Sequence, residues 1–287
     1  MNRISVGKEN SQSIDLYYED HGSGKPVVLI HGWPLSSASW EKQVPVLVDA
    51  GYRVITYDRR GFGNSSRPMS GYDYDTLAGD LHKLITALDL RDAALVGFSM
   101  GGGEVARYLG TYGFRRVKKA SFIAAIPPFL LKTSDNPEGM DGRIFDLIKK
   151  AIALDRLSFL SQFLSDFYNM DILCGKLVSY DVVQFNWDIA AAASPKGTLD
   201  CVSAWLTDFR YDLARIGIPI LVVHGSADRI FPIAATGKRI HEVIKASKFV
   251  VVERGPHGIT WTHADKVNHE LLEFLGQKEP SALSEAA

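Results

Sequence analysis

Three residues of this chain have the types that can activate a hydroxyl as a nucleophile: Ser99, Asp228 and His257. A serine hydroxyl is a weak nucleophile at neutral pH. It needs a base to take its proton, and the base needs an acid to fix its tautomer and stabilise the cation it becomes. Ser99 lies in Gly97-Phe98-Ser99-Met100-Gly101, between the apolar run Ala93-Ala94-Leu95-Val96 and a helical spacing of apolar residues from Glu104 to Tyr112. A strand that becomes a helix within about two residues must bend sharply, so Gly97 and Gly101 serve by lacking a β-carbon and Ser99 stands strained at the tip. Asp228 ends Gly225-Ser226-Ala227-Asp228 after the apolar run 219–224, and His257 lies in Gly255-Pro256-His257-Gly258 after the run 248–252.

Acyl transfer through a covalent serine intermediate is the chemistry such a set supports. Taken alone, the stretch around Ser99 also reads as a Gly-rich turn with a capping serine, and Asp228 also reads as a cap for the helix after Pro232. Glu253 and Asp212 are rival acids, while His82, His241, His263 and His269 read as solvated or core histidines. A tetrahedral intermediate further requires two N–H donors aimed at its oxyanion. The Met100 N–H, opening a helix, is one candidate. The second is the Trp33 N–H in His31-Gly32-Trp33-Pro34, where Gly32 permits close approach and His31 props the loop.

The elements that must position these residues follow a regular alternation. An alternating strand at 13–19 is followed by apolar strands at 27–30, 52–57, 93–96 and 120–126, and helical spacings fall at 40–50, 74–88 and 104–112. Strands apolar throughout are the mark of parallel strands covered on both faces. From Phe129 to about Tyr211 only helical patterns occur, at 144–154, 157–168, 182–193 and 199–208. Strands resume at 219–224 and 248–252, and a last helix spans 261–275, before a tail at 277–287 expected to fray. The expected organisation is a core of residues 1–126 and 212–287 with a helical cap, 127–211, inserted into it. All three reactive residues then lie just beyond strands, at the sheet edge where ligands bind in open parallel sheets. Pro34, Phe129, Phe159, Phe163, Trp205 and Ile230 are the residues expected to line the substrate pocket.

With 287 residues, 46 % hydrophobic and 23 % charged, and a formal net charge of −1, the chain has the composition of a globular protein. Lysines and arginines are balanced by acids and form no long block, which argues against nucleic-acid or anionic-membrane partners. The first ten residues are polar and no apolar run approaches the roughly 20 residues that span a bilayer, so a cytoplasmic protein is expected. Cys174 and Cys201 belong to no metal-type cluster and read as reduced thiols.

Together, His31-Gly32-Trp33-Pro34, Asp58-Arg59-Arg60-Gly61-Phe62-Gly63-x-Ser65, Gly97-Phe98-Ser99-Met100-Gly101-Gly102, Gly225-x-x-Asp228 and the His257 loop resemble an α/β-hydrolase of the cofactor-free bacterial haloperoxidase and aryl esterase group. The chain order serine, aspartate, histidine is also that of α/β-hydrolases. The resemblance covers nearly the whole chain and implies an eight-stranded, mostly parallel sheet flanked by helices. It implies Ser99, Asp228 and His257 as triad and the Trp33 and Met100 backbone as oxyanion hole, with no cofactor. It implies small esters as substrates, with lactones and γ-lactams beside them, and a peracid-forming side activity when hydrogen peroxide replaces water, a trait that Pro34 resembles. C–C bond hydrolases, aminopeptidases and low-turnover ligand receptors of the same fold stay open, as does homo-oligomer formation. Relatives that form an alkyl ester on an aspartate are excluded by Ser99.

Overall fold

A computed structural model describes residues 2–276; the tail expected to fray lies outside them. Eight strands form one sheet: β1 (Arg3–Glu9), β2 (Gln12–His21), β3 (Pro26–Ile30), β4 (Arg53–Tyr57), β5 (Ala93–Phe98), β6 (Val117–Ile123), β7 (Ile220–Gly225) and β8 (Lys248–Val252). Their spatial order is β1-β2-β4-β3-β5-β6-β7-β8. The β1–β2 and β2–β4 pairs are antiparallel, and every other neighbouring pair is parallel. Every residue of β5 and of β7 is buried, as helices on both faces require. Strand β1 was not legible beforehand: it is an edge strand with Val6 as its one buried residue, so it carries almost no hydrophobic signal.

On the core side lie α1 (Val44–Asp49), α2 (Tyr74–Ala87) and α3 (Met100–Tyr112). The helix expected over 40–50 is shorter, because a 3₁₀ turn at Ser37–Trp40, capped by the Ser36 hydroxyl, takes up its first part. The strand expected at 120–126 sits earlier and ends at Ile123, where Ala124 turns to a positive φ of 43°.

Between β6 and β7 the chain is helical: α4 (Gly142–Phe167), α5 (Met170–Leu173), α6 (Tyr180–Ala192), α7 (Pro195–Ala204) and α8 (Arg210–Ala214). The two helices expected at 144–154 and 157–168 form one run broken at Asp155 (φ −153°, ψ 91°). The Asp155 carboxylate accepts the Ser158 N–H at 3.0 Å and so caps the second half. Helix α7 starts earlier than expected, at Pro195, because Ser194 caps it through the Gly197 N–H and proline suits the first helical position. The expected boundary between residues 211 and 212 falls inside α8. After β7 come α9 (Gly237–Val243), α10 (Ile259–Thr262) and α11 (Ala264–Gly276), the last two dividing the helix expected at 261–275. Cys174 and Cys201 are free thiols, and burial pushes the Cys201 thiol up to about 12.

Candidate active site

Ser99 joins β5 to α3 with φ 54° and ψ −118°. A non-glycine residue held there costs on the order of 1–3 kcal/mol and persists only where its surroundings over-determine it. They do: the Ser99 N–H donates to the Ile123 carbonyl at the end of β6 (2.9 Å), and the Ser99 carbonyl accepts the Gly102 N–H at 3.0 Å. A β-carbon at Gly97 would stand 2.5 Å from the Gly101 carbonyl oxygen, and one at Gly101 would run into the Ile30 carbonyl of β3. Both glycines are therefore dictated by the sharpness of the bend.

The loops after β7 and β8 bring the other two residues to Ser99. The His257 Nε2 lies 2.9 Å from the Ser99 Oγ, and the His257 Nδ1 lies 2.7 Å from the Asp228 Oδ2. Asp228 Oδ1 accepts the N–H groups of Ile230 (2.8 Å) and Phe231 (2.9 Å). All three side chains are buried. Burial alone would raise the Asp228 carboxyl, but the neighbouring His257 and hydrogen bonds from His224 and His257 hold it well below the usual carboxylate range. It is thus an anion, placed to fix the His257 tautomer. The rings of Phe167, Phe98 and Phe231 pack around the imidazole at centroid distances of 4.9, 5.3 and 5.3 Å and shield it from water. Neither rival acid is near: Asp212 pairs with Arg107 at 3.0 Å, and Glu253 accepts the Ser226 hydroxyl.

The sheet order, the strained elbow after β5 and the meeting of residues from the ends of β5, β7 and β8 coincide with a match of residues 25–264 to the family model for the alpha/beta hydrolase fold. The chain belongs to the α/β-hydrolases. A Synechocystis protein provisionally named a non-heme chloroperoxidase is 60 % identical over 272 residues, which are 95 % of this chain and 99 % of the relative. The bifunctional esterase/perhydrolase DCH of Acinetobacter calcoaceticus is 36 % identical over 91 % of this chain and 96 % of its own. The crystal structure of a bromoperoxidase from Bacillus anthracis superposes with a TM-score of 0.93 at 52 % identity, covering 96 % of this chain and 99 % of that one. This α/β-hydrolase is an enzyme of the haloperoxidase and esterase group.

The expected oxyanion loop follows β3. A β-carbon at Gly32 would lie 3.0 Å from the Ser99 Cβ, so the loop backbone runs directly against the nucleophile. The Trp33 N–H has no acceptor among the described residues, and Met100, as the first residue of α3, opens a helix whose first N–H groups lack intrahelical partners. The loop rests on a buried network that sequence reasoning missed. The His31 Nε2 accepts the Arg59 N–H (3.0 Å), the His31 Nδ1 faces the Gly32 carbonyl (2.8 Å), and the Arg59 Nη2 donates to the His31 carbonyl (2.8 Å). Arg59 in turn pairs with Glu104 on α3, which also accepts the Tyr57 hydroxyl at 2.5 Å. Burial, and then the Arg59 charge, hold the His31 imidazole well below its ordinary range. His31 is the expected prop.

Four of the expected pocket residues, Phe159, Phe163, Trp205 and Ile230, line one cavity of about 190 Å³ between α4, α7 and the loop after β7. Phe231 also lines it, and its ring separates the cavity from His257. Phe129 and Pro34 are not among the residues lining it: Phe129 lies under the guanidinium of Arg210 at 5.1 Å, and Pro34 follows Trp33, whose indole packs edge-on to Trp205 (4.8 Å) and Phe163 (5.0 Å) and donates its N–H to the Thr198 carbonyl of α7 (3.2 Å). Among the described residues, the one grouping with metal-ligand spacing is His269, Glu270 and Glu273 on α11. Its Glu270 is engaged by Lys248 (2.7 Å) and Lys266 (2.6 Å), so ammonium groups already fill those positions. No described helix is long and apolar enough to cross a membrane.

Proposed function

We propose that this α/β-hydrolase cleaves small carboxylic esters through an acyl-enzyme on Ser99. The single observation that carries the reading is the unbroken hydrogen-bond chain from Ser99 through His257 to Asp228 inside an aromatic, water-poor shell. In the first half-reaction the Ser99 Oγ attacks the ester carbonyl carbon while the His257 Nε2 takes its proton. The oxyanion formed is held by the Trp33 and Met100 N–H groups, and collapse breaks the bond to the alcohol, which leaves with the proton from His257. In the second, His257 deprotonates water, which attacks the acyl carbon, releases the carboxylic acid and restores Ser99. With hydrogen peroxide in place of water the same step releases a peracid, which oxidises halide in solution. That side activity is supported by the names of the relatives, a non-heme chloroperoxidase and an esterase/perhydrolase.

The purified protein is expected to release p-nitrophenol from p-nitrophenyl acetate and to lose at least ~10³-fold in kcat on Ser99→Ala. A serine-directed sulfonyl fluoride should abolish the activity, and halogenation should require acetate and peroxide together. Full ester hydrolysis by Ser99→Ala refutes the mechanism.

A further inference from the structure

Asp228 has a second histidine. His224, on β7 and fully buried, places its Nε2 3.1 Å from the Asp228 Oδ2, the same oxygen that faces His257, and 3.0 Å from the Phe231 carbonyl oxygen. A carbonyl only accepts, so the hydrogen-bond network assigns the proton of His224 to Nε2. That N–H is shared between the Phe231 carbonyl and the carboxylate. The His224 Nδ1 has no hydrogen-bond partner, and the ring edge there is closed by Gly237, whose β-carbon would stand 2.7 Å from it. The opposite tautomer would leave one proton without an acceptor and aim a bare nitrogen at two acceptor oxygens, while the Thr236 hydroxyl, 3.5 Å from Nε2, donates its proton to the Pro232 carbonyl at 3.0 Å.

We propose that His224 is a positioning residue of the triad: its Nε2–H holds the Asp228 carboxylate and the Phe231 turn in register, and competes with His257 for Oδ2. With it the carboxylate receives four donors, the Ile230 and Phe231 N–H groups on Oδ1 and the two imidazoles on Oδ2. All the lone-pair positions of a carboxylate are then used. Because the charge on Oδ2 is divided, His257 draws less of it than in a site with one histidine. Phe231 links the two effects: its N–H and carbonyl are both engaged in this cluster, while its ring packs on His257 and Trp205. The other ionisable neighbours face away or stay uncharged. Arg229 turns out to Asp171 at 2.7 Å, and burial raises the Tyr168 phenol far above its ordinary value.

The inference rests on the serine-hydrolase reading, and its tests separate the two. In the wild type, nitrogen-detected NMR of labelled histidine should show His224 protonated at Nε2 and bare at Nδ1 near neutral pH. The reverse tautomer overturns the assignment whether or not the protein turns over esters. For active protein, His224→Leu removes the competing donor, strengthens the His257–Asp228 bond and makes the imidazole harder to deprotonate. The acid limb of kcat/KM should therefore move up by about one pH unit. His224→Gln, which keeps a donor amide, should leave the limb within a few tenths of wild type. A fall in kcat/KM with the limb unmoved in His224→Leu reduces His224 to packing and overturns the proposal.

Discussion

Gly32 gives the most direct test of the proposed oxyanion hole. A β-carbon there would stand 2.8 Å and 2.9 Å from two ring carbons of Phe98 and 3.0 Å from the Ser99 Cβ. Carbon atoms rest at about 3.5–4.0 Å, so Gly32→Ala obliges the loop or its neighbours to yield by about 0.7 Å. Phe98 is buried between Trp40, Phe167 and His257, and Ser99 is pinned by the Ile123 carbonyl, so the loop is the softer partner. A shift of that size exceeds the roughly 0.5 Å within which a functional geometry must be held, and it moves the adjacent Trp33 N–H away from the oxyanion position. Loss of one such donor lowers kcat by about 10²–10³. The overpacking itself costs about 1–3 kcal/mol, which leaves a domain of ordinary stability folded. Initial rates on p-nitrophenyl acetate over a range of concentrations separate kcat from KM, and urea denaturation verifies the fold. The expected outcome is a kcat reduced at least ~10²-fold with KM changed only a few-fold. A folded variant whose kcat stays within about threefold of wild type would remove the Trp33 N–H from the mechanism.

Glu104→Ala leaves the buried Arg59 and Tyr57 without their shared partner, a loss of about 3–5 kcal/mol, or roughly 6–20 °C in Tm for a chain of this size. Calorimetry that finds less than about 2 °C would show the pair contributes nothing. His31 is held well below its ordinary range in the folded protein, whereas the unfolded chain takes up that proton as the pH falls through about 6.5. The unfolded state then binds more protons, so His31 lowers stability with falling pH by up to about 1.4 kcal/mol per unit. Urea midpoints at pH 7.5 and 5.5 should drop further in wild type than in His31→Asn, and equal drops in both would refute this origin.

The reactive residues were legible because each stands at a change of pattern, from an uninterrupted apolar run to glycine-rich turn formers. For Ser99 and Asp228 the signal comes from β5 and β7, buried on both faces; β8 is an edge strand with only Val252 buried, so His257 is marked by the glycines and proline of its loop, and α/β order then fixes which edge the turns share. What stayed hidden lacked a local pattern. Strand β1 buries one side chain. Glu104 lies on α3 among buried residues, 45 positions from Arg59, and no spacing rule pairs two charges so far apart. Phe129 and Phe163 are alike as sequence, both aromatic residues of the inserted region, and only packing sends one to Arg210 and the other to the cavity.

Sheet order also explains a distance that the motifs leave unexplained. The proposed oxyanion loop and Ser99 follow β3 and β5, and Asp228 and His257 follow β7 and β8, each pair on neighbouring strands. From β5 to β8, however, there are three strand spacings, about 14 Å, which no histidine side chain spans. The His257 loop must therefore lean back across the ends of β7 and β6. Two features permit this. Strand β6 stops at Ile123, whose carbonyl accepts the Ser99 N–H, so the sheet ends there. The Gly258 N–H then donates to the Phe167 carbonyl at the end of α4, and the Phe167 and Phe98 rings receive the imidazole. Helix α4 thus holds the His257 loop in place as well as walling the cavity, so in the proposed mechanism one helix sets the position of the base.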